Sequence, residues 1–346
     1  MPDRHAERPH PRPKLGLALG GGVARGWAHI GVLRGLAQHG IVPDVVAGCS
    51  IGALVGGVYL ADHLDTLENW ARTLTKMRIL GLLDLRLRTG GGLIGGEKLL
   101  AELNQHIGDA TFDDLGRPFI TVATDLATGK EVWLRRGSVV EAMRASYAMP
   151  GIFPPSHVDG RWLVDGALVD PVPVAACRAM GAAMVLAVDL NADIIGRTRG
   201  RHDGEATAAA PPDAAPATED MEAPPDGTAV AEAQAAQIGA QGHGKHNFEF
   251  LSAFLQSRRR PPPPKYEGPS MFGVMATSLG IALDRITRSR LAGEPPDIHL
   301  KPRLGHIGLL EFDRAEEAIA EGKAVVDRAL PELREALTVF GIGHRN

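Results

Sequence analysis

The chain has 346 residues, 44% hydrophobic and 23% charged, enough for one large domain or two modest ones. Two cysteines, Cys49 and Cys177, exclude a disulfide framework and fit a reducing, cytoplasmic setting, and a net charge of −4 argues against a nucleic-acid partner. Glycine is in excess at 42 residues, about 12% against the usual 7%, and the charge is uneven. Eight acidic and no basic residues lie between Asp203 and Glu232, which leaves the remaining chain at +4.

Residues 1–13 form a basic, proline-rich tail without the apolar run of a secretory signal. Leu15–Leu19 is a short apolar strand that runs into Gly20-Gly21-Gly22, and a helical pattern follows from Trp27 to His39. Pro43-Asp44 turns the chain into a second strand at Val45–Ala47, and a helix runs from Ile51 to Leu60. The uncharged stretch Val45–Ala61 has 17 residues, with Gly48, Gly52 and Gly56 spaced like a membrane dimer face. It only touches the lower limit for a spanning helix, and a buried strand followed by a buried helix explains it better.

Helices are expected over Leu64–Lys76 and Glu97–Ile107, and strands over Phe119–Thr124 and Val132–Leu134. His157-Val158 pairs with Trp162–Val164 through an Asp159-Gly160 turn, and Met184–Val188 is a buried strand. Residues 196–247 are rich in Ala, Pro and acidic side chains and read as a disordered insertion. A short apolar helix at 248–255, followed by Arg258-Arg259-Arg260, is a candidate contact with an anionic membrane surface or a core helix followed by a solvated charge run. A helix over Ser270–Leu291, a strand at Ile298–Leu300 and a helix over Arg314–Phe340 complete the pattern. Strands alternating with helices predict an α/β fold with a mainly parallel central sheet. The expected organisation is one domain over 14–195 and 248–340, interrupted by the 196–247 insertion.

Gly48-Cys49-Ser50-Ile51-Gly52 matches G-x-S-x-G, with a strand leading in and a helix leading out. That is the setting of a nucleophile elbow, in which Gly48 and Gly52 permit a sharp turn and Ser50 heads the helix. Cys49 would point into the sheet as a small buried residue. Gly20-Gly21-Gly22-Val23-Ala24-Arg25-Gly26 lacks the Lys and Ser/Thr of a P-loop, and Gly26 is one residue too far for a dinucleotide fingerprint. An oxyanion hole built from loop N–H groups remains, beside the plainer reading of a tight turn. Asp165-Gly166-Ala167 follows a strand, so Asp165 is either a general base at the same sheet edge or part of a turn. A Ser-His-Asp arrangement would need His299 or His306. No metal-ligand spacing is present, and no cofactor is implied.

In this order the glycine loop, G-x-S-x-G and D-G-A resemble the bacterial patatin-like phospholipases. Leu17–Leu19, Ala28–Leu33, Thr124–Gly129, Ala145-Ser146, Met149–Pro155 and Asp165–Pro173 look like further blocks of that family, and the likeness extends over Lys14 to Leu190 and more loosely over Ser270 to Ala329. The resemblance implies a three-layer α/β/α fold and a serine acyl hydrolase acting on (lyso)phospholipid esters. Ser50 would be the nucleophile and Asp165 its proton acceptor. Gly20, Gly21, Gly22, Arg25 and Gly26 would form the oxyanion hole, with Gly48, Gly52 and Gly166 supporting the motifs. One departure stands out: Val23 occupies a position where the family loop has glycine, and a β-branched residue resists positive φ. The alternatives are a Ser-His-Asp carboxylesterase and a lipid-binding protein without turnover.

Overall fold

Three apolar runs, LGLAL, VVAGC and AAMVLAV, form the buried centre of an eight-stranded sheet. The computed structural model describes residues 12–82, 108, 110–193 and 271–343. In chain order the strands are β1 (Lys14–Leu19), β2 (Val45–Cys49), β3 (Phe119–Asp125), β4 (Glu131–Leu134), β5 (Ser156–Val158), β6 (Arg161–Asp165), β7 (Ala182–Val188) and β8 (Ile298–Leu300). The α-helices are α1 (Ala28–Gln38), α2 (Ile51–Leu60), α3 (Leu64–Arg72), α4 (Lys76–Leu82), α5 (Val139–Ser146), α6 (Val174–Ala179), α7 (Met271–Gly293) and α8 (Ala315–Val339). Residues 1–205 and 275–346 make one compact unit and 206–274 another, and the sheet belongs to the first.

The fold is α/β with a mainly parallel sheet. β1 pairs in parallel with β2 and β7, β2 with β3, and β7 with β8. Strand alternation sends Leu15, Leu17, Leu19, Val46, Met184 and Leu186 to one face, where α1, α2 and α8 contribute the rest of the large core cluster. Ala18, Val45, Ala47, Ile120, Val122, Val185 and Ala187 face the other way, against Val174, Ala176 and Cys177 of α6. Burial on both faces explains why these strands read as continuous apolar runs rather than alternating ones.

β3 has a divided edge. Its residues 119–122 pair with Val46–Cys49 of β2, and residues 123–125 pair with Leu163–Asp165 of β6. β4 pairs with 121–124, overlapping both, so it must occupy the opposite edge. β2 and β6 therefore lie end to end along one edge of β3, running in opposite directions, with Cys49 opposite Val122 and Asp165 opposite Ala123.

The last helix is seated on the first by missing side chains. A Cβ on Gly31 would come within 1.9 Å of the Ile319 carbonyl oxygen, and one on Gly322 within 1.9 Å of the Ala28 carbonyl oxygen. The two backbones touch where these glycines face each other, which holds α8 against α1.

Several expectations need correction. The helix expected over Leu64–Lys76 is two helices, because α3 stops at Arg72, where Thr73 Oγ1 turns back to the Trp70 carbonyl. α5 and α6 were not anticipated. Val45–Ala61 is β2 followed by α2, and no helix among the described residues is long and apolar enough to cross a membrane. The helix expected at 97–107, the 196–247 insertion and the apolar helix at 248–255 lie outside the described residues, as does most of the 1–13 tail.

Gly322→Ala is expected to push α8 off α1 and lower the thermal midpoint by several degrees, the effect of about 1–3 kcal/mol of overpacking. An unchanged midpoint would contradict the close helix contact.

Candidate active site

Ser50 sits between the end of β2 and the start of α2 with φ 54° and ψ −124°. Positive φ is costly for a residue with a Cβ, roughly 1–3 kcal/mol, and the surroundings hold it there. Its N–H donates to Ser146 Oγ at 2.9 Å, and Ser146 Oγ donates to the Val122 carbonyl at 2.6 Å. Space at the turn is as tight as the motif implies: a Cβ on Gly52 would lie 2.1 Å from the Leu19 carbonyl oxygen, and one on Gly48 2.5 Å from Ala53 Cα. Cys49 points into the sheet, fully buried, and burial pushes its thiol pKa well up, so it is no competing thiolate.

The divided edge of β3 brings Asp165 to this turn from the other direction. Ser50 Oγ donates to Asp165 Oδ2 at 2.7 Å, and Ala167 N–H donates to Asp165 Oδ1 at 2.8 Å. Thr124 Oγ1 donates to the Asp165 carbonyl at 2.8 Å, and Asp165 N–H donates to Ala148 O at 3.0 Å. A Cβ on Gly166 would stand 2.2 Å from the Val122 carbonyl oxygen, so the chain can leave Asp165 at this angle only with glycine next. Ser50 and Asp165 are 4% and 1% exposed. Burial raises the Asp165 carboxyl to about 6, and the hydrogen bonds from Ala167 and Ser50 hold it from rising further.

The glycine loop lies alongside. A Cβ on Gly21 would be 3.3 Å from Ser50 Cβ, and one on Gly26 would collide with Ile51. Gly20 N–H donates to Val188 O at 3.1 Å and Gly21 N–H to Pro171 O at 2.9 Å, so neither is available to a substrate. Val23 begins a short 3-10 turn (Val23–Trp27) with φ 52°. The N–H groups of Gly22 and Val23 precede the first intrahelical bond and have no acceptor among the described residues. Val23 therefore does adopt the left-handed conformation in which the family has glycine.

Arg25 does not face the serine. It is buried, its Nε donates to the Ile307 carbonyl at 2.9 Å and its Nη1 to Asn191 Oδ1 at 3.3 Å. Its guanidinium clamps the loop to the wall of the site. His29, on α1, does the same from below: its Nε2 donates to the Gly20 carbonyl at 2.7 Å, and burial lowers its pKa to about 4. A neutral imidazole with the proton on Nε2 is the form that makes this bond. His299 Nε2 lies 3.4 Å from Asp189 Oδ2, and His306 pairs with Glu317.

Three contributors went unassigned in the sequence: Ser146, His29 and Asn191. Ser146 lies in a motif block, yet only the fold reveals its bond to the Ser50 amide. His29 likewise lies in the Ala28–Leu33 block, with its bond to Gly20 visible only in the fold, and Asn191 carries no local signal.

The charge balance of Asp165 affects stability. Its folded pKa of about 6 exceeds the ordinary 3.8, so the folded chain takes up the proton first as pH falls from 6 to 4. The group thus adds stability on acidification and subtracts it above pH 6. Asp165→Asn is expected to stabilise the fold at pH 8 by up to about 3 kcal/mol, seen as a higher thermal midpoint, with the difference vanishing towards pH 4. A variant less stable than the parent at pH 8 would contradict the burial penalty.

Comparison with known proteins places the chain in a family. A family model described as patatin-like phospholipase matches residues 17–178. An NTE family protein of Mycobacterium tuberculosis is 35% identical over 338 residues, covering 92% of this chain and 91% of its own. Neuropathy target esterase sws of Drosophila melanogaster is 34% identical over 183 residues, which is 51% of this chain but 13% of that protein. Among solved structures, VipD from Legionella pneumophila aligns over 95% of this chain and 76% of its own at 14% identity, with a TM-score of 0.35. The mycobacterial match, at 35% identity over nine-tenths of both chains, shows that the chain belongs to the NTE family, whose patatin-like phospholipase domain lies here at residues 17–178, and it is a lipid acyl hydrolase.

Proposed function

We propose that this hydrolase cleaves fatty-acyl esters of phospholipids or lysophospholipids through a Ser50–Asp165 dyad. The observation that carries the reading is the 2.7 Å bond from Ser50 Oγ to Asp165 Oδ2 at the head of α2. Asp165 takes the Ser50 proton as Oγ attacks the acyl carbonyl carbon, and the carbonyl oxygen becomes an oxyanion. Collapse expels the alcohol, which leaves with the proton from Asp165, and Ser50 carries the acyl group. Asp165 then takes a proton from water, the resulting hydroxide attacks the acyl-enzyme, and the proton returns to Ser50 as the fatty acid departs.

The oxyanion donors in this reading are the N–H groups of Gly22 and Val23, with the N-terminus of α2 adding a favourable field. Gly20 and Gly21 shape the loop, Gly26 lets it pack on Ile51, and Arg25 anchors it. Asp165 occupies the place that a histidine would fill in a triad, while His306 pairs with Glu317 and His299 Nε2 faces Asp189. A carboxylate with a pKa near 6 is a stronger base than an ordinary aspartate, and it stays largely ionised at pH 7–8.

Contact with a lipid surface is proposed at the carboxyl end of β3. Leu126 and Trp162 are 56% and 55% exposed there, joined by the Leu126 N–H to Trp162 carbonyl bond. Trp162 precedes Asp165 by three positions on β6, about 10 Å along the strand. Arg161 and Lys130 flank the pair, with Asp125 and Asp159.

Ser50→Ala and Asp165→Asn are each expected to lower kcat on a short-chain ester at least 1,000-fold, roughly the range for losing a nucleophile or base. His299→Ala and His306→Ala should remain within a few-fold of wild type, and wild-type kcat/KM should fall as pH drops below about 6. Wild-type turnover by Ser50→Ala, or collapse in either histidine variant, would defeat the dyad. The double variant Leu126→Ala/Trp162→Ala should lose turnover on phosphatidylglycerol vesicles while keeping it on a monomeric short-chain ester. Equal turnover on both substrates would remove the rim from the account.

A further inference from the structure

We infer that Asn191 is a positioning residue that sets the direction of the Gly22 N–H, one of the two oxyanion donors. This inference rests on the dyad and glycine-loop reading above. Asn191 follows β7 and is buried, with its N–H donating to Asp189 Oδ1 at 2.9 Å. Its side-chain amide is shared between two partners of fixed character. Nδ2 donates to the Gly21 carbonyl at 3.1 Å, and Oδ1 accepts from Arg25 Nη1 at 3.3 Å. A carbonyl can only accept and a guanidinium can only donate, so the amide has a single satisfying orientation.

The consequence follows from the planar trans peptide, in which C=O and the next N–H point in opposite directions. His29 pulls the Gly20 carbonyl one way, and the Gly21 N–H duly points the other way, to the Pro171 carbonyl. One peptide further on, Asn191 holds the Gly21 carbonyl, and the Gly22 N–H must point away from Asn191. That N–H is buried and has no acceptor among the described residues, an expensive omission unless a ligand fills it. The exit segment of β7 touches the whole loop. Val188 O accepts from Gly20 N–H, and the Leu190 side chain fills the space where a Gly22 Cβ would be, 2.6 Å away. Within this wall, Asn191 makes the contact that fixes the rotation of the Gly21–Gly22 peptide.

The test separates the two halves of the amide. Asn191→Asp keeps an acceptor for Arg25 but places a carboxylate against the Gly21 carbonyl, whereas Asn191→Ala removes both contacts. Rates on p-nitrophenyl butyrate are taken on the folded fraction recovered by size exclusion, beside the inhibition constant of an alkyl trifluoromethyl ketone. The hemiketal oxygen of that inhibitor occupies the hole. Both variants are expected to lower kcat about 10- to 100-fold, somewhat less than deleting a donor outright, with KM within about twofold. The inhibition constant should rise in step with the loss in kcat/KM. An Asn191→Asp enzyme within twofold of wild type would overturn the inference, because the Arg25 contact alone would then suffice. A loss of kcat with unchanged ketone affinity would overturn it equally. Ser50→Ala in the same assay keeps the failures distinct. If it is inactive while Asn191→Asp is normal, only the Asn191 role falls; if it turns over normally, the dyad falls as well.

Discussion

The site depends on one strand edge that serves two partners. β3 gives the first part of that edge to β2 and the rest to β6, and the junction falls between Val122 and Ala123. Because β2 runs towards the junction and β6 runs back to it, Ser50 and Asp165 meet although 115 positions separate them in the chain. Ladder hydrogen bonds therefore fix the distance between them, and no flexible loop is left to set it. Val122 is central to the arrangement, since its carbonyl receives Ser146 Oγ and lies where any Cβ on Gly166 would go. The proposed dyad draws on this geometry, in which the Asp165 carboxylate reaches the Ser50 hydroxyl directly.

Around that junction the protein tolerates local costs that a neutral packing design would avoid. Ser50 and Val23 are both held at positive φ, and Asp165 is buried with a raised pKa. Each is destabilising by roughly a few kcal/mol or less, and all three lie where the Ser50 hydroxyl, the Asp165 carboxylate and the glycine loop come together. The offset lies in the apolar faces of β1, β2 and β7 and in the glycine contact between α1 and α8. Glycine thus does two jobs in this chain. It opens space at the Ser50 turn, and it lets the backbones of α1 and α8 touch.

Much of the fold was legible because its signals are local. Leu15–Leu19, Val45–Ala47 and Met184–Val188 are apolar runs with clear flanking breaks, and the helix Ile51–Leu60 is bounded as the pattern implied. α5 and α6 escaped because they are short and their apolar positions blend into neighbouring strands. The elbow serine was readable from the strand–turn–helix setting, but Asp165 was ambiguous by itself because its meaning lies in its pairing with Ala123. The glycine loop between β1 and α1 is a local signal, but the roles of its residues could not be divided from sequence. Which N–H groups are free depends on Val188 and Pro171, and the direction of Arg25 depends on Ile307 and Asn191, all distant in the chain.

The most direct measurement of the central claim is a crystal structure of the enzyme inactivated by an alkyl fluorophosphonate. The account predicts phosphorus bonded to Ser50 Oγ, with the phosphonyl oxygen about 2.7–3.1 Å from the N–H groups of Gly22 and Val23. Asp165 should stay beside the modified serine. A phosphonyl oxygen turned towards Arg25 or a histidine, or phosphorus on any residue other than Ser50, would contradict it.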